Sequence, residues 1–191
     1  MKGKVFLTIL LVVVLMLTVT ASAFAKGGNI VKSYRGSLVA LNGSGVTGQV
    51  SITMLGNQQL KVSVWAYGLV SRRVHMQGLY GFADGTPAMV PPLTADTSGD
   101  GFISIDEAMA FTGPMLLDLV PHPVAKKSGR VEFTWVYRGA ALKALNFVDG
   151  VPLNQRVFMI QGGFWTPTYG TMVYDKLLPV AAARIVGPSA K

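Results

Sequence analysis

Period-two alternation is the feature that most constrains this chain. In VTGQVSITML, Val50, Ile52 and Met54 alternate with Ser51 and Thr53, and after Gly56-Asn57 the residues Leu60, Val62, Val64 and Ala66 alternate with Lys61, Ser63 and Trp65. Successive strand side chains point to opposite faces, so each run has one face for a core and one for water, and the pair predicts a hairpin. Val131, Phe133, Trp135 and Tyr137 repeat the pattern opposite Glu132 and Thr134, and RVFMIQ, TMVYD and LPVAAARIV are further strand candidates. Short strands broken up by 22 Gly and 10 Pro predict an all-β antiparallel sandwich. Helical spacing is confined to one short stretch, Ile105 to Phe111, stopped by Gly113-Pro114.

The first twenty-five residues are of another kind. Lys2 and Lys4 precede an apolar run from Val5 to about Val19, and Ala23-Phe24-Ala25 supplies a small-x-small site. This predicts a signal peptide over 1–25, cleaved after Ala25, and an exported (secreted or periplasmic) protein. The competing reading is a retained anchor, since the run approaches the ~20 apolar residues that span a bilayer. The remainder, 26–191, is the size of a single domain. It has no cysteine, which removes disulfides and thiolate chemistry together. Without the leader lysines the net charge is about +6, which favours acidic partners. Yet no basic residue lies between Arg73 and Lys126, where Asp84, Asp96, Asp100, Asp106, Glu107 and Asp118 all fall.

Inside that anionic window, DTSGDGFISIDE matches the twelve-residue calcium loop slot by slot. Asp96, Ser98 and Asp100 stand at positions 1, 3 and 5, Gly101 at the sharp turn of position 6, Phe102 at 7, Ser104 at 9 and Glu107 at 12. The carboxylates and the Ser98 hydroxyl offer hard oxygens, Phe102 its carbonyl and Ser104 a water, while Glu107 can close the shell with both oxygens. Ile103 at position 8 is apolar and predicted to face the core. The expected ligands of Ca²⁺ are therefore Asp96, Ser98, Asp100, Phe102, Ser104 and Glu107, in an EF-hand-like loop over 96–107. A plain Asp/Gly turn before a capped helix competes, because Ser104 and Glu107 also form a capping-box pattern. Pro91 and Pro92 preclude a regular entering helix, which leaves a loop and an exiting helix, closer to a dockerin-type half than to a paired sensor. The modest ligand set predicts a structural ion bound with Kd on the order of 10⁻⁴ to 10⁻³ M.

Catalytic candidates are few. The chain has two histidines, His75 and His122, too few for a histidine-rich metal centre. His122, between Pro121 and Pro123, reads as a solvated loop residue, and His75 as a satisfied strand histidine or, less simply, a ligand. No G-x-S-x-G, P-loop or H-E-x-x-H occurs, and NGSGVTG and QGGF read as hairpin turns. Glu132 and Asp149 stand alone. Trp65, Tyr67, Trp135, Tyr137, Phe164 and Trp165 are core or a sugar or peptide platform. Arg72-Arg73 and Lys126-Lys127 read as solvated turns, too short for nucleic-acid binding.

The order VHMQGLYGFADG, TADTSGDGFISIDEA, TGPMLLDL, LNQRVFMIQGG, LPVAAARI resembles exported bacterial proteins with a CHRD-type, Cu/Zn superoxide dismutase-like β-sandwich carrying one inserted calcium loop. The resemblance spans roughly Ser37 to Val186 and implies that sandwich with an inserted loop and one short helix. In that group the first piece carries His-x-x-His-Ile-His-Gly and the late one Val-His-Gly. Here His75 alone matches: Gly78 and Tyr80 replace the other two histidines, Gln161 the late one, and Ala181 to Ala183 replace Ala-Cys-Gly. No catalytic residue carries over. Two functions remain: a non-enzymatic exported sandwich ordered by structural Ca²⁺, and a dismutase-like metal or redox protein centred on His75. A dockerin-like surface recruiting a protein partner would need a second loop, which the sequence lacks.

Overall fold

The computed structural model describes residues 30–56, 59–139, 153–166 and 170–187. The predicted leader and Asp149 lie outside them. Two antiparallel sheets face each other, as the alternation predicts. The four-stranded sheet has the order β1 (Ile30–Ser37), β3 (Thr47–Leu55), β4 (Gln59–Tyr67), β7 (Val131–Arg138). The five-stranded sheet has the order β2 (Val39–Ala40), β9 (Val173–Arg184), β8 (Val157–Trp165), β5 (Gln77–Tyr80), β6 (Met115–Asp118).

The register places like with like. Val50 pairs with Val64 and Ile52 with Val62, and all four are fully or almost fully buried, whereas Lys61 and Trp65 on the other face of β4 are exposed. A slip of one residue would turn the whole apolar set to water, so this register is strongly specified. Leu79, Phe158, Ile160, Ala181 and Ala183 meet that apolar face from the five-stranded sheet and complete the main core. A second, smaller core lies on the other side of the same sheet. There Tyr80, Val157, Met159 and Ala182 are covered by Leu41, Ala88, Ala95, Ile103 and Ala108. The cover comes largely from the insertion between β5 and β6, which holds a 3-10 turn (Leu93–Ala95), the 96–107 loop and the one α-helix among the described residues, α1 (Ile105–Thr112).

Three sequence expectations are corrected. QGGF is not a hairpin turn: it lies within β8, where the pairing with β9 is bulged around Gln161 and Gly163. Gly162 is needed there for φ +108° and for room, because a Cβ would sit 3.0 Å from His75 Nδ1. NGSGVTG does turn at Asn42-Gly43, both at positive φ, but it joins β2 to β3, strands of different sheets, so it is a crossover. The strand candidates TMVYD and LPVAAARIV contribute to one twelve-residue strand, β9, which starts at Val173 and ends at Arg184, with Pro179 tolerated at the irregular Gln161 pairing.

Gln77 is an exception to the apolar core. It is fully buried in β5 opposite Ile160, and neither side-chain amide atom has a hydrogen-bond partner. A buried amide atom left unpaired costs about 1–3 kcal/mol. Gln77→Met keeps the unbranched shape and removes the polar atoms. It is expected to raise stability by ~1–2 kcal/mol in urea unfolding; a loss would show that the amide has a partner that matters.

Candidate metal site

The 96–107 loop is built around two carboxylates. Asp96 Oδ1 accepts from the Ser98 hydroxyl at 3.1 Å and the Gly99 N–H at 2.8 Å, and Oδ2 accepts from the Gly101 N–H at 2.9 Å. These bonds curl the backbone round the Asp96 side chain, and Gly99 and Gly101 provide the left-handed φ values, +73° and +87°, that the curl requires. Asp100 Oδ1 accepts from the Phe102 N–H at 2.8 Å.

Glu107 closes the loop from the first turn of α1. Its Oε1 accepts from the Thr97 N–H, the Thr97 hydroxyl and the Ser98 N–H at 2.9 to 3.0 Å, and its Oε2 from the Ser104 N–H and hydroxyl at 2.8 and 2.9 Å. Ser104 in return accepts from the Glu107 N–H, so the capping box is complete. The donors from Ser104, Ser98 and Thr97 hold the Glu107 carboxyl down at about 2. Positions 1 and 12 of the loop therefore meet on Ser98, one at its hydroxyl and the other at its N–H. Asp100 Oδ1 is taken by the Phe102 N–H, and no group of three or more His, Cys, Asp or Glu among the described residues is arranged to hold a metal.

Ile103 at position 8 is 2% exposed, as expected of a core-facing residue. Its backbone is gripped by a residue that the sequence did not single out. Asn42 Oδ1 accepts from the Ile103 N–H at 2.7 Å, and Nδ2 donates to the Ile103 and Pro179 carbonyls, each at 2.9 Å. One side-chain amide thus satisfies the Ile103 N–H and C=O together, as a neighbouring strand would, and ties the loop to β9. Only the Asn-Gly turn signature marked this position in the sequence.

His75 lies just before β5, fully buried. Its Nδ1 lies 3.1 Å from the Gln161 carbonyl and its Nε2 3.1 Å from the Val70 carbonyl. Burial pushes its pKa down, against the opposing pull of the two carbonyls. With both nitrogens turned to backbone oxygens, and Gly78, Tyr80 and Gln161 at the other positions, these residues do not fit a copper or zinc centre. The Tyr80 hydroxyl is buried without a hydrogen-bond partner. His122 is not solvated as expected: its side chain is 18% exposed, and Asp118 lies 3.4 Å from Nε2. Glu132 pairs with Arg130 at 2.6 Å. Of the aromatics, Trp135 is core, whereas Trp65 is 41% and Phe164 42% exposed.

No family model matches the sequence, and no curated protein matches it. Similar solved structures include superoxide dismutase 5 of Candida albicans in its Cu(II) form and as a point mutant. Each is 12% identical, with 81% of this chain and 90% of that chain covered, at TM-scores of 0.45 and 0.43. At that identity the likeness concerns the fold alone.

Proposed function

We propose that this protein is an exported, non-catalytic β-sandwich whose 96–107 loop binds one Ca²⁺ as a structural ion. The observation that carries this reading is the twelve-residue ligand order, with the first and last carboxylates converging on Ser98. Every donor in the set, from Asp96, Ser98, Asp100, Phe102, Ser104 and Glu107, is oxygen, which suits a hard cation. In the hydrogen-bonded arrangement the loop's own N–H groups offset its negative charge. Calcium competes for the same oxygens, and Glu107 has to give up Thr97 and Ser98 to face the ion. That exchange agrees with weak, extracellular-range affinity.

The site's place in the fold gives the ion its role. The loop carries Ile103 into the smaller core and leads into α1, whose Ala108 is fully buried there. Holding the loop closed keeps the cover on the five-stranded sheet. Equilibrium dialysis of the folded protein in millimolar calcium, followed by elemental analysis, is expected to find one calcium per chain and no stoichiometric copper or zinc. Retention of copper or zinc at one per chain through dialysis would overturn the reading.

A further inference from the structure

We propose that one edge of the sandwich docks on an anionic lipid surface. The segment from Leu69 to His75 runs antiparallel to the one from Pro123 to Gly129. The Arg72 N–H donates to the Ala125 carbonyl, the Ala125 N–H to the Arg73 carbonyl, and the His75 N–H to the Pro123 carbonyl. This pairing lays Arg72-Arg73 beside Lys126-Lys127, two basic pairs that are far apart in the sequence, and all four residues are exposed. Lys176 adds a fifth cation: with Arg72, Arg73, Val74 and Tyr174 it lines one open hollow of about 830 Å³. The Arg73 guanidinium lies 5.3 Å from the centre of the Tyr174 ring, whose hydroxyl donates to the Val74 carbonyl.

Two acids lie close by, Asp175 in the lining of the same hollow and Asp118 beside His122, and the five cations outnumber them. Like charges set side by side cost stability, and a polyanion relieves that cost. What selects a lipid surface over a soluble polyanion is the apolar component. Val74 and Val124 face each other across a β-bridge and are 44% and 57% exposed, and Leu177, next to Lys176, is 41% exposed. Aliphatic side chains ringed by Lys and Arg match a headgroup boundary, where the cations meet phosphates and the apolar atoms enter the acyl region.

The test uses the chain from Lys26, which holds every described element of both sheets and lacks the apolar leader. Flotation is measured in chelator, so that calcium neither bridges headgroups nor enters the outcome. Wild type is expected to float with vesicles of phosphatidylcholine and phosphatidylglycerol, and not with phosphatidylcholine alone. Binding should fade as salt rises toward 0.5 M, about the range in which such attraction is screened. Arg72→Gln with Lys126→Gln is expected to weaken binding by about fivefold for each charge removed, and Val74→Ser with Val124→Ser to weaken it by a comparable factor. Unchanged melting temperatures would show that both variants fold, and the salt series on wild type stands without them. Three results would overturn the proposal: no flotation, retention on heparin without flotation, or flotation of the valine variant equal to wild type.

Discussion

His75→Ala is expected to lower the unfolding free energy by ~3 kcal/mol at pH 7, although no catalytic or metal role is assigned to the residue. The ring is fully buried, so its removal leaves a cavity, and whichever of the Val70 and Gln161 carbonyls accepts the neutral ring's single N–H loses its donor. Those carbonyls belong to the β4–β5 connection and to the bulge in β8, and the imidazole is what spans them. His75→Gln restores at most part of the loss, because a flexible amide does not fill the place of a rigid ring packed between the two carbonyls. The pH dependence has a definite sign. Burial places the folded pKa below the ordinary 6.5, so the unfolded chain binds the proton more readily. Wild type therefore loses stability as pH falls below about 6.5 toward the folded value, and His75→Ala lacks that component. Urea unfolding of both proteins at several pH values, repeated with zinc and with copper, provides the check. Equal stability of variant and wild type, or a zinc-dependent gain that needs His75, would contradict the structural assignment.

The parts of the fold that were legible in the sequence are those written in local periodicity. Val50, Ile52, Val62 and Val64 alternate because one face is core, and they pair as the alternation implied. Ser104 and Glu107 form a capping pattern in the sequence, and the complete box is present at the start of α1. One misreading arose where a glycine serves packing and not turning. Gly162 looks like turn chemistry in QGGF, yet its place is a strand bulge against His75, and nothing within QGGF reveals a residue 87 positions away. The same limit hid Asn42, whose amide reaches Ile103 across 61 residues. It also hid the union of Arg72-Arg73 with Lys126-Lys127, which depends on an irregular ladder without hydrophobic period. The template gave the loop's ligand order, but not that Glu107 would find five hydrogen-bond donors of its own.

Those donors make calcium binding a measurable competition. The loop is held by N–H and O–H groups on the Asp96 and Glu107 oxygens. When calcium binds the folded loop and not the unfolded chain, stability rises as RT ln(1 + [L]/Kd), about 2.7 kcal/mol at a hundredfold excess over Kd. Glu107→Gln removes the charged position-12 ligand and should abolish most of the calcium-dependent rise, while leaving an amide that can still accept from Ser104. Ser98→Asp adds a charged ligand at position 3 and should enlarge the rise at a given calcium concentration. Magnesium demands tighter octahedral geometry and should substitute poorly. The most direct measurement is calorimetric melting of wild type in chelator and across a calcium series to tens of millimolar, with Glu107→Gln in parallel. The melting temperature is expected to climb with calcium in wild type and to stay nearly flat in the variant. A wild-type melting temperature identical in chelator and in calcium, with no heat of binding, would contradict this and leave DTSGDGFISIDEA as a turn before a capped helix.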